Sequence, residues 1–566
     1  MVLRGARILM ESLAREDVDV IFGYPGGAVL DLYDELSRTD FRHILVRHEQ
    51  GAVHAADGYA RASGKTGICL VTSGPGATNT VTGIATAYSD SIPLVVFTGQ
   101  VPTTLIGNDA FQEVDIVGIT RPCTKHNFLV KDVKDLAKTV RQAFLIARSG
   151  RPGPVLVDLP KDMVRAETDF IWPDHTRMRS YAPKTKPNLT QLKRAADIVR
   201  GAKRPLFILG GGVIMANASE EVVSLARELS IPVVSTFMGL GAFPGTDPLW
   251  LGMLGMHGTV AANRAAMNAD CILAVGTRLA DRVTGKTSSF AGQAQVIHID
   301  IDPTSLQKNI HVQVPIVGDC KEALAALANL FHAVDKNAGT DTDWKRMRAE
   351  WRGYLRKIKQ DFPPEYEHSG AVKPQEAIEA IYAFTKGDAI IATDVGQHQM
   401  WTGLFYTFTK PRTLISSGGL GTMGYGLPAA IGAQVAAPDS KVIAIVGDGS
   451  VQMNIQELIT ASQNCLPVKI VILNNGYLGM VRQWQELFYD RNYSCSRMDA
   501  QPDFVKLAEA YGCEGYLIEK REDLVSTLEK ALSSPNPAVV DIRVEEEENV
   551  FPIVPAGAGL DEMRLF

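Results

Sequence analysis

The sequence predicts an α/β protein built as three successive parallel-sheet domains, and three observations carry the prediction. The chain has 566 residues, 46% hydrophobic and 21% charged, enough to bury several cores and too many for one compact domain. Short apolar runs ending in Gly-rich turns alternate with helical stretches over most of its length, the rhythm of strands joined by helical crossovers. Polar or charged segments at 171–188 and 336–370 divide that rhythm into three blocks.

Taken in order, the opening MVLRGARILMESLAREDVDV spaces its apolar residues as an amphipathic helix. The first domain, 1–170, has strands expected in DVIFGYPGG, FRHILVRHE, GICLVTSGPGATN, PLVVFTGQ and PVLVDLP. The Pro-containing stretch 171–188 reads as a linker. In the second domain, 189–335, the strands are RPLFILGGG, IPVVSTFMG, CILAVGTRL and QVIHIDID. The charged connector 336–370 holds a helix, and its charges read most simply as a solvated face. The third domain, 371–545, runs through AIIATDVG, SKVIAIVGDG, VKIVILNNG and AVVDIRV. The last stretch, 546–566, has neither helical nor strand periodicity and is a tail, a candidate lid.

Composition narrows the function. A net charge of −6 supplies no basic field for nucleic acid. No apolar run reaches the ~20 residues that cross a bilayer, and acidic residues come too early in the chain for a secretion signal. The 7 cysteines lack CxxC spacing, which argues against zinc and a disulfide framework and for a reducing cytoplasm. No fixed-period repeat of about 20 to 50 residues is visible, which argues against a solenoid.

The segment GDGSVQMNIQELITASQNCLPVKIVILNN carries the chemistry. It sets GDG after one buried strand and an Asn pair after the next, with a helix between. Parallel strands put both ends on one carboxyl edge, where α/β folds bind ligands, so Asp448 and Asn475 should meet. A carboxylate, an amide oxygen and a nearby carbonyl are hard donors suited to Mg²⁺ and, through it, a diphosphate. Gly447 and Gly449 let backbone approach the phosphates, and the helix after them presents free N–H groups. The plainer reading is two unrelated turns.

This pairing resembles the thiamine diphosphate (ThDP) enzymes, whose signature is GDG followed by NN. The resemblance implies that Asp448 and Asn475 bind the metal by side chains and Tyr477 by its carbonyl. It also implies a glutamate on a partner domain, bonded to the cofactor's aminopyrimidine, and RHEQGAVHAADGYAR supplies Glu49. By itself Glu49 reads as a helix-start acid favoured by the dipole.

Nearly the whole chain is similar to the acetohydroxyacid synthase (acetolactate synthase) catalytic-subunit family. FGYPGGAVLDLYD, FTGQVPTTLIGNDAFQE, RPGPVLVDLPKD, GMLGMHGT, RLADRVTGK, GGLGTMGYGLPAAIGA and LGMVRQWQ carry the match. Asn108 departs from the family's usual Thr, and Leu279-Ala280 from its Phe-Asp. The resemblance implies that the three blocks are pyrimidine-binding, FAD-associated and diphosphate-binding domains.

For ThDP it implies contacts from Tyr24, Pro25, Glu49, Asn79, Gly396, Gln397, His398, Gly421 and Met423, the last as apolar support for a bent cofactor. It adds Gly447, Asp448, Gly449, Ser450, Asn475, Tyr477, Leu478, Gly479 and Met480. Catalytic roles fall to Glu49, Gln112, Gly27 and Lys161, and substrate contacts to Ala28, Phe111, Arg282 and Trp484. By the resemblance, Trp484 stands at the position the family uses to favour 2-oxobutyrate over pyruvate as second substrate. FAD would lie on Arg151, Gly210, Gly211, Gly212, Thr236, Met238, Leu254, Gly255, Met256 and His257, and on Gly276, Arg278, Arg282, Asp300, Ile301 and Asp319. Its role would be structural, because the net reaction is not a redox one.

The implied activity decarboxylates pyruvate and joins the remaining two-carbon unit to a second pyruvate or to 2-oxobutyrate. The products are 2-acetolactate and 2-aceto-2-hydroxybutyrate, precursors of branched-chain amino acids. Implied partners are a second copy, in a homodimer or homotetramer with active sites between subunits, and a separate small regulatory subunit, with neither nucleic acid nor membrane. The rival enzymes are the FAD-free catabolic acetolactate synthase, pyruvate oxidase and glyoxylate carboligase. Glu49 argues against the carboligase; Trp484 with GMHGT and DRVTGK argues against the catabolic form. A catalytically silent regulatory homologue is the non-enzyme alternative, and the retention of Glu49, Asp448 and Asn475 speaks against it.

Overall fold

A computed structural model describes residues 1–176, 178–338, 343–368 and 370–566. Position 177 of the linker and positions 339–342 and 369 of the connector lie outside the described residues. Three six-stranded parallel sheets form the frame.

The first holds β1 (Val20–Tyr24), β2 (Arg42–Leu45), β3 (Gly67–Val71), β4 (Leu94–Gln100), β5 (His126–Leu129) and β6 (Val155–Pro160), in the order β2-β1-β3-β4-β6-β5. The second holds β7 (Pro205–Leu209), β8 (Val233–Ser235), β9 (Trp250–Met253), β10 (Cys271–Val275), β11 (Gln295–Asp300) and β12 (Val314–Val317), in the order β9-β8-β7-β10-β11-β12. The third holds β13 (Ile390–Thr393), β14 (Leu414–Ile415), β15 (Val442–Gly447), β16 (Lys469–Asn474), β17 (Glu514–Ile518) and β18 (Ala538–Arg543), in the order β14-β13-β15-β16-β18-β17. The first and third sheets therefore share one strand order. The second has the doubly wound order typical of dinucleotide-binding folds, which reverses between β7 and β10.

The central strands are apolar because both faces are covered. In β7, Phe207 and Leu209 enter one core while Leu206 and Ile208 enter another, the period of two that a strand imposes. Within these three sheets, the five strands that the apolar runs did not mark, β5, β9, β12, β14 and β17, are all edges; two further short strands, Val2–Arg4 and Glu167–Asp169, pair antiparallel outside them.

The chain groups into two compact units. Residues 1–183, 389–396 and 415–543 form one, and 184–388, 397–414 and 544–566 the other. In the first unit, α1 (Gly5–Arg15) is the amphipathic opening, burying Ile8, Leu9 and Leu13. Two Ala- and Gly-rich helices, α2 (Glu49–Ser63) and α3 (Gly426–Ala436), are packed against each other. A Cβ at Gly58 would lie 2.0 Å from the Ala429 carbonyl oxygen, and one at Gly432 1.8 Å from that of Ala55. Only glycine allows this approach. In the second unit, the tail buries Val554 and Leu560 in the core beside β7.

Candidate active site

The residues singled out in the first sheet gather at its carboxyl edge. Tyr24 ends β1, and Glu49 opens α2 with His48 as N-cap, its Nδ1 accepting the Gln50 N–H at 3.1 Å. Asn79 donates to Glu49 Oε2 at 2.9 Å and fixes that oxygen. The other oxygen, Oε1, faces Gly76, whose absent Cβ would sit 3.3 Å away. Beside them Thr72 Oγ1 is buried with no hydrogen-bond partner among the described residues, and a Cβ at Gly26 would strike Thr72 at 2.5 Å. A half-buried carboxylate with one fixed oxygen and an orphaned hydroxyl nearby fits the polar edge of an aminopyrimidine.

One residue absent from the sequence reading holds the Glu49 segment in place. The Glu457 carboxylate accepts the N–H groups of Arg47 and His48 at 2.9 and 3.0 Å, fixing the two residues before Glu49. Burial pushes the Glu457 carboxyl up, against hydrogen bonds from Thr460, Arg47 and His48. Lys161, the first residue of a short helix after β6, donates to the Gly27 carbonyl at 2.9 Å. Asp158 of β6 accepts from Thr98 at 2.7 Å and from Gln100 at 3.0 Å, and Gln100 also reaches the Val114 carbonyl at 2.8 Å. Burial raises Asp158 to about 7. Asp162 binds the Thr103 N–H at 3.0 Å. The loop that presents Phe111 and Gln112 is thus tied at both ends to the DLPKD strand end. Phe111 itself is 89% exposed, and Gln112 has φ +60°. Ala28 is buried and Pro25 half-buried nearby.

In the third sheet β15 and β16 are paired in register, Gly447 opposite Leu473, which brings Asp448 and Asn475 to one edge as the motif spacing requires. Asp448 is 1% exposed and accepts a hydrogen bond from Gln501. Its carboxyl is pushed up to about 6, chiefly by burial, with Asp541 contributing. A buried carboxylate held in its costly form is the state a cation relieves. The Asn475 Oδ1 accepts the Tyr477 N–H at 3.1 Å, and the Ser450 hydroxyl closes on Gly447 at 3.2 Å. Leu478 pairs with Ser496, and Gly476 with Met498, by backbone hydrogen bonds. A Cβ at Gly449 would lie 2.8 Å from Leu478 and 2.9 Å from Met498. One carboxylate, one amide oxygen and one backbone carbonyl fit Mg²⁺. The helix after GDG is broken: Asn454 leaves helical geometry at φ −135°, and its amide donates to the Gly424 carbonyl at 2.7 Å.

The loop carrying Gly421 and Met423 is organised by Asp394, fully buried at the end of β13. Its carboxylate accepts the N–H groups of Val395, Gly424 and Gly426 at 2.8, 2.9 and 3.1 Å. Burial raises it to about 6 against those bonds. Gly424 takes φ +84°, which a side chain would strain. Met423 is half-buried and Gly421 exposed. After Gly479 and Met480, the helix Gly479–Phe488 presents Trp484 to a groove of about 450 Å³ shared with Met480, Val481 and Tyr489. Gly396 has φ +155°. Gln397 and His398, which open a helix in the second unit, are both buried, and Gln397 donates to the Glu548 carbonyl at 2.8 Å.

In the second unit the flavin candidates collect at the carboxyl edge of the second sheet. The loops after β7 and β10 touch through backbone: a Cβ at Gly210 would lie 2.2 Å from the Gly276 carbonyl oxygen, and one at Gly212 2.6 Å from Gly276 Cα. This is the topological switch point, where such sheets take a dinucleotide, so the residues fit one. Thr236 and Leu254 are buried, with Gly211 and Met238 half-buried beside them. Asn263, missed in the sequence, clamps Gly255 by accepting its N–H and donating to its carbonyl, both at 2.9 Å. Met256 donates its N–H to Arg282 at 2.8 Å. His257 is buried against the Pro552 carbonyl at 3.2 Å, and burial lowers it to about 4. Asp300 at the end of β11 accepts the Asp302 N–H at 2.8 Å, with Ile301 half-buried between them. Asp319 accepts the Lys321 N–H at 2.8 Å. Arg278 and Arg282 are exposed. Arg151 belongs to the first unit, where it donates to Ser91 at 2.7 Å.

Three family models match: the thiamine pyrophosphate enzyme N-terminal TPP binding domain over residues 3–119, the central domain over 192–327 and the C-terminal TPP binding domain over 394–542. The chain is 50% identical to the acetolactate synthase isozyme 3 large subunit of Escherichia coli, covering 100% of this chain and 99% of that one. It is 49% identical to the acetolactate synthase large subunit of Haemophilus influenzae, over 100% and 98%. It is 48% identical to an acetolactate synthase of Mycobacterium leprae, over 99% and 90%. With its GDG and NN strand ends on one sheet edge and this similarity along its whole length, the chain belongs to the thiamine pyrophosphate enzymes and, within them, to the acetolactate synthase large-subunit family.

Proposed function

We propose that this chain is the catalytic subunit of a cytoplasmic acetohydroxyacid synthase that uses ThDP, Mg²⁺ and FAD. Its substrates are pyruvate and, as acceptor, a second pyruvate or 2-oxobutyrate. The domains run 1–170 for the pyrimidine, 189–335 for FAD and 371–545 for the diphosphate and metal, with 171–188 and 336–370 connecting and 546–566 as tail. The observation that carries the reading is Glu49, held by Asn79 and by the Glu457 anchor, in a chain that also bears Asp448 and Asn475 on one sheet edge.

When bound, ThDP supplies the nucleophilic carbon and the electron sink that decarboxylation of a 2-oxo acid needs. Glu49, with Oε2 held by Asn79, would present Oε1 to a pyrimidine nitrogen and exchange a proton with it. Asp448, Asn475 and the Tyr477 carbonyl would hold Mg²⁺, and Gly447, Gly449, Ser450 and Gly396 the diphosphate, for which the family resemblance adds Gln397 and His398. Tyr24, Pro25, Gly421, Met423 and Leu478–Met480 shape the rest of that pocket. Lys161, held on the Gly27 carbonyl, brings a positive charge to the substrate carboxylate, and Ala28, Phe111 and Gln112 border its path. Arg282 contacts FAD or the incoming acid. The apolar wall at Trp484 discriminates one methylene of the acceptor, worth about 1–3 kcal/mol. FAD is structural, held by Gly210–Gly212, Gly276, the Leu254–His257 turn and Asp300. A homodimer or homotetramer and a separate small regulatory subunit complete the assembly.

The test is a competition assay with pyruvate and 2-oxobutyrate together, quantifying both acetohydroxy acids, on the wild type and on Glu49→Gln. An excess of 2-aceto-2-hydroxybutyrate, and a loss of about 10²–10⁴-fold in the folded variant, is expected. Full activity of Glu49→Gln would sink the reading.

A further inference from the structure

A cavity of about 340 Å³ opens in the second unit, away from the edge just described. Its floor is apolar: Pro232 lies just ahead of β8, and Leu249 and Leu251 lie at the entrance to β9. These are the amino ends of two parallel strands, the edge opposite the one that carries Gly210 and Gly276. The walls hold five cations, Arg227, Lys345, Arg352, Arg356 and Lys359, against one acid, Asp247. Asp247 is taken by Arg227 at 2.8 Å, and the other four cations have no ion pair among the described residues.

The arrangement concentrates like charge on one side of a helix. Arg352, Arg356 and Lys359 sit at spacings of four and three residues on the helix Ala349–Asp361, so they share its cavity side and repel one another. Lys345 extends the row from the preceding turn, and Leu355 fills the stripe between. The helix's own acids, Glu350 and Asp361, are not among the lining residues. Arg352 Nε is buried without a hydrogen-bond partner among the described residues, while its terminal nitrogen is fixed on the Lys345 carbonyl at 2.7 Å. Lys359 is steered by the Trp250 carbonyl at 2.8 Å. A chain of net charge −6 has no general excess of cations that would produce such a row by chance.

We propose that this cavity binds an organic phosphate of the nucleoside diphosphate class, its phosphates on Lys345, Arg352 and Arg356 and its apolar body on Leu249, Leu251 and Leu355. Guanidinium forks match phosphate oxygens in pairs, and several phosphate charges are what several uncompensated cations call for. The volume lies at the small-molecule end of ligand pockets. This site is separate from the ThDP and FAD sites and does not depend on the proposed reaction.

The experiment is calorimetric titration of the holoenzyme, already saturated with ThDP, Mg²⁺ and FAD, with ADP and separately with inorganic pyrophosphate. One ADP per chain is expected, bound more tightly than pyrophosphate and more weakly as salt rises. The double variant Arg352→Gln/Arg356→Gln should lose about tenfold or more in ADP affinity with acetohydroxy acid synthesis and melting temperature unchanged. Should that variant melt early, Lys345→Glu, on an exposed position, replaces it with the same expected loss. No saturable heat with either probe at millimolar concentration, or undiminished ADP binding in the variants, overturns the site. Pyrophosphate binding as tightly as ADP overturns the organic body.

Discussion

Asp158 is 1% exposed in a central strand, its carboxylate closed in by Thr98 and Gln100. Because its folded value of about 7 lies above that of a free carboxyl, the folded state binds the extra proton, so its stabilising contribution is present at low pH and lost as pH rises towards 7. Asp158→Asn should therefore flatten the fall in melting temperature between pH about 4 and about 7, read by calorimetric scans across that range. At Glu457 the accounting is of hydrogen bonds. Glu457→Ala would leave the Arg47 and His48 amides without their acceptor, and a loss of about 2–4 kcal/mol is expected in urea unfolding, together with a lower kcat because Glu49 is no longer held. Neither residue was legible in the sequence. Glu49, Asp448 and Asn475 stand in recognisable strings, whereas Glu457 acts 408 positions from Glu49 along the chain and Gln501 lies in a polar stretch without periodicity.

At the scale of elements, apolar runs revealed every interior strand and no others beyond β2, because a strand flanked on both sides and covered on both faces is apolar over most of its length. The edge strands β5, β9, β12, β14 and β17 are short or partly exposed, so their sequences carry no such run. The sequence places a helix between GDG and NN; the structure breaks it at Asn454, whose amide serves the loop of Gly424 rather than a helical hydrogen-bond ladder. Gly424→Ala should strain φ +84° and press a Cβ to 2.9 Å from Asn454. A cost of about 1–3 kcal/mol and weaker ThDP binding are expected, measured by thermal melts with and without cofactor. On the helix Gly479–Phe488, Trp484→Leu should cut the preference for 2-oxobutyrate by about tenfold or more, read as the product ratio in the competition assay, with the total rate less affected.

At the scale of the whole molecule, the tail 546–566 is part of the second unit's core rather than a loose end. Val554 and Leu560 are each 1% exposed, Val554 donates its N–H to Met256 at 2.8 Å, and the Pro552 carbonyl meets His257. Burial of two such side chains stabilises by about 1.5–3 kcal/mol each. A chain ended after residue 550 should consequently melt lower and, if the flavin assignment holds, copurify with less flavin by absorbance. The sequence by itself determined the fold class, the three-sheet rhythm and which polar residues stand at the strand ends, because buried parallel strands and their Gly-rich turns are written in contiguous residues. The tertiary structure alone decided which groups hold those turns: Glu457 behind Glu49, Asp394 under the Met423 loop, Asn263 around Gly255, and the tail beneath the GMHGT turn. Each is a polar or apolar group whose partner is distant in the chain, and its role follows from burial, which forces every hydrogen-bonding group to find a partner wherever the fold supplies one.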